Sequence, residues 1–384
     1  MEALALAAGL ACLWPEGVRG QLPAPPASAR SPLRVGGYGS LVLGLDELVG
    51  PEPAGTPAPD GIAGSAVALL VSGTPAARFS YFGELDGAAR SQENWPGRVE
   101  NRGWGVARLY GEVAVGDALR LRAGRFLTPV GQWNEIHADP LTWTSLRPLT
   151  TYRAFAKSVT GLMAAGERPL GGHDAGYAFY WAPVPSPGIA GDETSFLSAA
   201  GGRVALEVLP NLYVGASAAA YRASRPRAAD EDSAEAEAEG NGGEGADGAW
   251  NAGAARAAAA DVGEVDAGDR ESDTGTRRLL GADLSWTARR VEILAEATAL
   301  SGRGTGRAER GGFVQAALPL VGPLFAVLRT EAYTPVVRGA LSIHTLGLTA
   351  RPKPHLTLKL ERQITSRPST RAADGWFASV SAMF

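Results

Sequence analysis

Residues 355–363, HLTLKLERQ, decide the fold: Leu356, Leu358 and Leu360 alternate with Thr357, Lys359, Glu361 and Gln363. Successive side chains of a strand point to opposite faces, so this stretch carries one aliphatic face and one charged face. A helix would place the same residues on conflicting faces. The pattern recurs in 290–299, where Val291, Ile293, Ala295, Ala297 and Ala299 alternate with Glu292, Glu296 and Thr298. It recurs again in 118–123, with Leu119, Leu121 and Ala123 between Arg120 and Arg122, and in 203–208, with Val204, Leu206 and Val208 between Arg203 and Glu207.

Working outward, strands are expected near 33–45, 63–72, 76–87, 104–115, 118–127, 157–167, 174–182, 199–208, 212–222, 278–287, 290–300, 309–318, 324–333, 340–349, 355–365 and 374–384. Connections after even-numbered strands are tight, as at Gly73-Thr74-Pro75, Gly116-Asp117, Leu209-Pro210-Asn211 and Ala288-Arg289. Those after odd-numbered strands run long, including 46–62, 88–103, 128–156, 183–198 and 223–277. Apolar-out, polar-in strands joined by short turns at one rim and long loops at the other are the pattern of transmembrane β-barrels. A soluble sandwich has no reason to keep its long loops on one side of the alternation, and no fixed repeat marks a β-helix. The expectation is an all-β, antiparallel transmembrane barrel of about sixteen strands, one structural domain over 33–384.

The composition agrees: charged residues are 20%, Gly is 50 and Pro 26, and no uninterrupted apolar run is long enough for a spanning helix. Ala3 to Trp14 is a short apolar stretch before Pro15, and Val18-Arg19-Gly20 offers small residues for cleavage before Gln21. Residues 1–20 therefore read as a secretory signal and 21–32 as a periplasmic N-terminal segment, although Glu2 stands where Lys or Arg is usual. Leu10-Ala11-Cys12 leaves a lipoprotein reading open, with Gly9 against it. Cys12 is the single cysteine, which excludes disulfide frameworks and cysteine-based zinc sites.

The last strand carries Trp376, Ala378, Val380, Ala382 and Phe384 on one face. A terminal Phe with apolar residues at every second position before it resembles the C-terminal signal of bacterial outer-membrane proteins. GRFLTPVG at 124–131 resembles the motif of the phosphate-selective-type porins and related Gram-negative porins: Gly124, Phe126, Pro129 and Gly131 match, and Val130 stands where Phe is usual. That resemblance implies location in the cell outer membrane and passive diffusion of small hydrophilic solutes or ions. It also implies a homotrimer, contacts with outer-membrane lipid and lipopolysaccharide, and recognition of Trp376, Val380 and Phe384 by the barrel assembly machinery. Leu127 occupies a position often basic in anion-selective members, so a substrate-specific anion channel of phosphate type stays an alternative. A non-conducting barrel with an adhesive or binding surface loop is another.

Residues 128–156 form a connection long enough to fold into the barrel as a constriction loop, or to cap it outside. Its charged and polar candidates are Glu135, His137, Asp139, Arg147 and Arg153. Parity places Arg78, Arg108, Arg120 and Arg122 on the pore-lining face of strands three to five, with Glu84 and Glu112 among them. Asp283, Glu292 and Glu296 line the distant wall on strands ten and eleven. Such charges set a transverse field or hold the wall through cross-strand salt bridges, and the two uses are compatible.

Residues 223–277 differ in composition. Asp230 to Asp273 hold fourteen acids and two bases without aliphatic periodicity, which reads as a disordered acidic external loop. Without that segment and the signal, the remaining chain carries a net charge of +9, so the overall acidity comes from one loop.

Signals for an enzyme are poor, and no catalytic residue, metal site or cofactor is expected. Glu135, His137 and Asp139 lack a second nearby histidine, and Ser342-x-His344 lacks the His-x-Ser-Asn-Gly arrangement of outer-membrane phospholipases. Basic residues are dispersed, so no nucleic-acid partner is expected.

Overall fold

The computed structural model describes residues 33–45, 60–89, 103–116, 118–151, 155–186, 195–224, 276–302, 309–334, 340–366 and 374–384. Sixteen strands close into one antiparallel barrel, each paired with its sequence neighbours and β1 with β16. They are β1 Arg34–Leu45, β2 Asp60–Ala76, β3 Phe79–Ala89, β4 Gly103–Gly116, β5 Leu119–Leu127, β6 Ser158–Leu170, β7 His173–Ala182 and β8 Ser195–Leu209. The second half comprises β9 Leu212–Ser224, β10 Thr276–Ala288, β11 Val291–Gly302, β12 Glu309–Pro319, β13 Leu324–Thr334, β14 Leu341–Lys353, β15 Leu356–Thr365 and β16 Gly375–Met383. One short helix, α1 Trp133–Ile136, and a 3-10 turn at Leu149–Thr151 lie between β5 and β6.

The strand count and the alternation agree with the sequence expectation. Exposed Leu358, Leu360 and Ile364 on β15 alternate with buried Thr357, Lys359, Glu361 and Gln363. Closure lets every interior backbone amide pair with a neighbour and removes the sheet edge. Asn211 (φ 60°) and Arg289 (φ 54°) hold left-handed conformations in tight turns, as short antiparallel connections require.

The turn between β2 and β3 departs from expectation. Proline cannot donate to the ladder, yet β2 runs on through Pro75 by a register irregularity between Gly73 and Ala76. The turn therefore falls at Ala77–Arg78, not at Gly73–Pro75, and Arg78 is exposed there instead of facing the lumen. A second irregularity, between Ala350 and Lys353, accommodates Pro352 in the same way.

The signal region 1–20, the segment 21–32, Arg153 and the acidic stretch 230–273 lie outside the described residues.

Candidate functional site

The connection between β5 and β6 turns into the barrel, and the 124–131 motif explains the turn. Gly124 holds φ +128°, and a Cβ there would stand 2.3 Å from the Leu109 carbonyl oxygen. Gly131 holds φ +65°, and a Cβ there would stand 2.3 Å from a Glu296 carboxylate oxygen. Both positions need glycine for conformation and for close approach. The neck is clamped: the Thr128 amide donates to Lys157 O at 2.9 Å, and the Thr128 hydroxyl to Ala156 O at 2.6 Å. The Asn134 amide group donates to Thr128 O at 2.8 Å and Lys157 O at 3.0 Å.

Beyond the neck, wall carboxylates receive the loop's own backbone. Glu296 on β11 accepts the amides of Gln132 (2.6 Å) and Trp133 (2.5 Å). Glu361 on β15 accepts those of Ser145 (3.0 Å) and Leu146 (3.2 Å), and Glu331 on β13 accepts that of Thr150 (3.0 Å). Wall cations take the carbonyls: Arg329 donates to Leu146 O at 2.7 Å, and Lys359 to Asp139 O at 2.8 Å and Thr144 O at 3.0 Å. A non-helical segment in a closed barrel has no ladder to join, so charged side chains supply partners that water would otherwise provide. Each such charge-assisted bond is worth about 1.5–3 kcal/mol.

Aromatic contacts fix the depth. Trp133 packs edge-on to Phe313 at 5.9 Å, and Trp143 lies 4.8 Å from Phe325 at the start of β13. Leu146 packs with Val42 and Phe377 across the β1–β16 closure. The loop thus runs along β11–β16 and β1, from the long-connection rim toward the short-turn rim.

The other wall is built from ion pairs. Arg108 donates to Glu84 at 2.5 Å and lies 4.3 Å over the Phe82 ring. Arg122 donates to Glu112 at 2.6 Å and lies 3.9 Å over Tyr110. Arg203 on β8 pairs with Asp283 on β10. Arg120 is the most open of these arginines, with its side chain 37% exposed and Glu112 at 3.6 Å.

The structure therefore sorts the candidates. Arg108, Glu112, Arg122, Asp283 and Glu296 are buried on the barrel wall, and Arg108 and Arg122 sit in ion pairs, so they do not form an unpaired basic wall. Asp283 pairs with Arg203, and Glu296 serves the loop backbone, so the acids of β10 and β11 do not answer the arginines of β3–β5 as free charges. Glu292 interacts with Arg351 and Trp143. Arg147 staples the two limbs of the loop, donating to Asn134 Oδ1 at 3.0 Å and to Thr151 O at 2.5 Å. Asp139 accepts from the Ser40 hydroxyl at the barrel closure.

Glu135 and His137, on α1 and the residue after it, are held with their side chains largely buried. Burial pushes the Glu135 carboxyl above its usual value and Asp283 adds to this, while Arg203, Arg122 and Arg108 pull it down. His137 lies 3.1 Å from Glu84. Burial and the Lys157 ammonium hold its imidazole below the usual histidine value, and Glu84 opposes them. Glu84, Asp86 and His137 stand close enough to contact one cation. Arg108 and Lys157, 2.7 Å from Asp86, already neutralise the two carboxylates.

Arg203, Arg329, Glu331, Lys359 and Glu361 are functional neighbours that the sequence reading did not single out. Strand alternation put Arg203, Lys359 and Glu361 on the polar face of their strands, but nothing local distinguishes an inner charge that meets a loop from one that meets water.

No protein-family model and no curated protein sequence matches the chain. Solved structures do share its fold. The anion-selective porin from Comamonas acidovorans superposes with TM-score 0.54 at 13% identity, over 91% of this chain and 98% of that one. Salmonella typhi OmpF, in complex with daunomycin, gives 0.54 at 11% identity, over 92% and 97%. Pseudomonas putida OprB gives 0.53 at 9% identity, over 92% and 94%. At such identities the likeness establishes the fold alone, a closed antiparallel β-barrel of sixteen strands.

Proposed function

We propose that this chain is an outer-membrane porin, passing small hydrophilic solutes or ions down their gradient between the inserted loop and the β3–β10 wall. The observation that carries the reading is the seating of residues 128–151 inside the barrel on Glu296, Glu331 and Glu361. A loop fixed to one wall narrows a lumen without relying on the wall strands themselves, which is how a passive channel sets its cut-off. The long connections then face the exterior and the short turns the periplasm. The protein assembles as a homotrimer after delivery to the barrel assembly machinery, as the resemblance implies, and carries out no reaction.

Selectivity is weak on this reading. Arg108, Arg122 and Arg203 act on Glu135, but each is also held by a carboxylate of its own, so the local field is largely compensated. A phosphate-type anion channel needs guanidinium groups open to the passing ion, and Arg120 alone among the arginines named in sequence for β3–β5 offers one.

A non-conducting barrel is the second reading. It is favoured by the burial of inward charges: the Arg122 and Glu112 side chains are 6% and 7% exposed. Planar-bilayer recording of the refolded full chain separates the two. Discrete small steps with a reversal potential near zero under a salt gradient are expected. A folded, inserted protein that passes no current in either the intact form or one with residues 132–150 excised would overturn the channel reading.

A further inference from the structure

Glu84 and Asp86, two residues apart on β3, share one face of the strand. The loop brings His137 onto that face, with Nε2 3.1 Å from Glu84 Oε1. One ligand atom from each of the three side chains lies within 4.8 Å of the others, and among the described residues no other group of metal-ligating side chains stands so close. His137 is 53 residues beyond Glu84 in sequence, so only the insertion of the loop into the closed barrel assembles the group.

Each base beside these carboxylates takes one oxygen and leaves the other. Arg108 donates to Glu84 Oε2, and Lys157 donates to Asp86 Oδ2 at 2.7 Å. A bulge aims Arg108: the β3–β4 register shifts between Glu84 and Leu85, and the consecutive residues Ala107 and Arg108 are both buried. Glu84 Oε1 is left to His137 and to the Tyr38 hydroxyl at 3.4 Å. Asp86 Oδ1 is buried and has no hydrogen-bond partner among the described residues, and the same holds for His137 Nδ1, on a side chain 5% exposed. A buried carboxylate oxygen without a donor is costly unless an ion or a water answers it. Carboxylates that bind metals are held by hydrogen bonds of the kind Arg108 and Lys157 supply.

We infer that Glu84, Asp86 and His137 form a binding site for a divalent transition-metal ion of the zinc class, which ties the inserted loop to β3. One imidazole and two carboxylates supply three ligands and leave the fourth position of a tetrahedral ion to water. Two corners of a tetrahedron with arms of about 2.0 Å stand about 3.3 Å apart. The 3.1 Å between His137 Nε2 and Glu84 Oε1 is already close to that spacing. Two bases match the two acids, so net charge does not draw a cation in, and selection falls to the nitrogen ligand. Imidazole suits zinc, copper or nickel, whereas magnesium and calcium take oxygen ligands in larger number. The site stands on this geometry; only the effect of the metal on current rests on the channel reading. A bound ion adds a tie between loop and wall, so zinc should steady the loop and lower the conductance beside it.

The test is isothermal titration of the full chain in detergent, stripped of metal with a chelator, against zinc chloride and, separately, magnesium chloride. The intact protein binds one zinc per chain and prefers it clearly to magnesium. H137Q and D86N each weaken zinc binding by about tenfold or more, at least the loss that follows removal of an outer-shell partner. H344Q, which changes an exposed histidine on β14, leaves it unchanged. Heat-modifiable migration on gels checks that each variant is folded, and D86N, which spares the contact between His137 and Glu84, decides the matter if H137Q does not fold. Equal affinity for the two metals, undiminished zinc binding in a folded D86N, or loss of binding in H344Q would each overturn the assignment. Absence of zinc binding with normal conductance sinks this site alone, and absence of conductance with normal zinc binding sinks the channel reading alone.

Discussion

The indole of Trp143 lies 4.8 Å from the ring of Phe325, tilted at 52°. Phe325 is the second residue of β13, beside a short turn, whereas Trp143 belongs to a connection that leaves β5 at the opposite rim. The segment therefore descends most of the height of the barrel, roughly 30 Å of strand at 3.3 Å per residue. Arg351 lies 3.7 Å over the Trp143 indole and donates to Leu141 O at 2.9 Å, closing the deepest point of the loop.

Trp143→Ala removes this anchor. A large-to-small change at a buried aromatic costs about 3 kcal/mol or more when the site does not collapse. Single-channel conductance is expected to rise, because the loop loses its hold on Phe325 and Arg351, and thermal stability to fall. Unchanged conductance and stability together would show that the tip of the loop does not define the passage.

Glu361→Gln tests the seat without altering its shape. Glu361 accepts two loop amides, and losing its charge weakens both bonds by about 1–2 kcal/mol in sum. Faster current flicker and quicker proteolysis within 138–151 are expected, while the barrel keeps its heat-modifiable migration. A variant as quiet and as resistant as the parent would mean that the carboxylate does not hold the loop.

The two arginines of β5 should respond differently. Arg122→Ala strips the closer, buried partner from Glu112 and leaves it only the more open Arg120 at 3.6 Å, which holds the cost below the roughly 3–5 kcal/mol of a fully stranded buried charge. Its reversal potential should shift toward cation preference and keep much of that shift at 1 M salt, where the screening length is about 3 Å. Arg120→Ala acts on a more open group, so its smaller shift should fade as salt rises. Matching salt dependence in the two variants would contradict their different burial.

Acid should loosen the loop through His137. Its folded value lies below the unfolded value of about 6.5, so the unseated form binds the proton more readily. The seat's stability from this group is therefore full above about pH 6.5 and is lost as the pH falls toward the folded value. Glu135 has the opposite sign: its raised value makes its contribution full below about pH 4.3 and lost as the pH rises through the folded value. Glu84, Asp86, Arg108 and Lys157 face the imidazole and set the size of the effect. An NMR titration should place the His137 midpoint below about 6.5, and His137→Gln should flatten the acid limb of a conductance–pH curve. A midpoint above that value would reverse the argument.

Phe384 is tied to the first strand. Its amide and carbonyl exchange 3.0 Å hydrogen bonds with Gly37, and a Cβ at Gly37 would stand 2.6 Å from the Phe384 ring. Deleting Phe384 should lower outer-membrane levels and slow the appearance of the heat-modifiable form. Normal yield and rate would remove the C-terminal face from the assembly signal.

The sequence by itself determined the barrel. Alternation in 355–363, repeated between short and long connections, has one physical solution in a lipid phase, because strand parity is local and closure follows from the need to pair every backbone group. It also placed Arg108, Glu112, Arg122, Asp283 and Glu296 on the inner face, and picked out Gly124 and Gly131 before their left-handed conformations were seen. What only the tertiary structure decided is which inner charges meet one another and which meet the loop. Arg203 finds Asp283 across β9, and Glu361 finds the amide of Ser145, 216 residues away in sequence. Such pairings depend on the course of a loop that follows no period, and on register shifts such as the one at Pro75 that moved Arg78 out to a turn. Parity fixes the face of a side chain; only the closed barrel with the loop seated inside it fixes the partner.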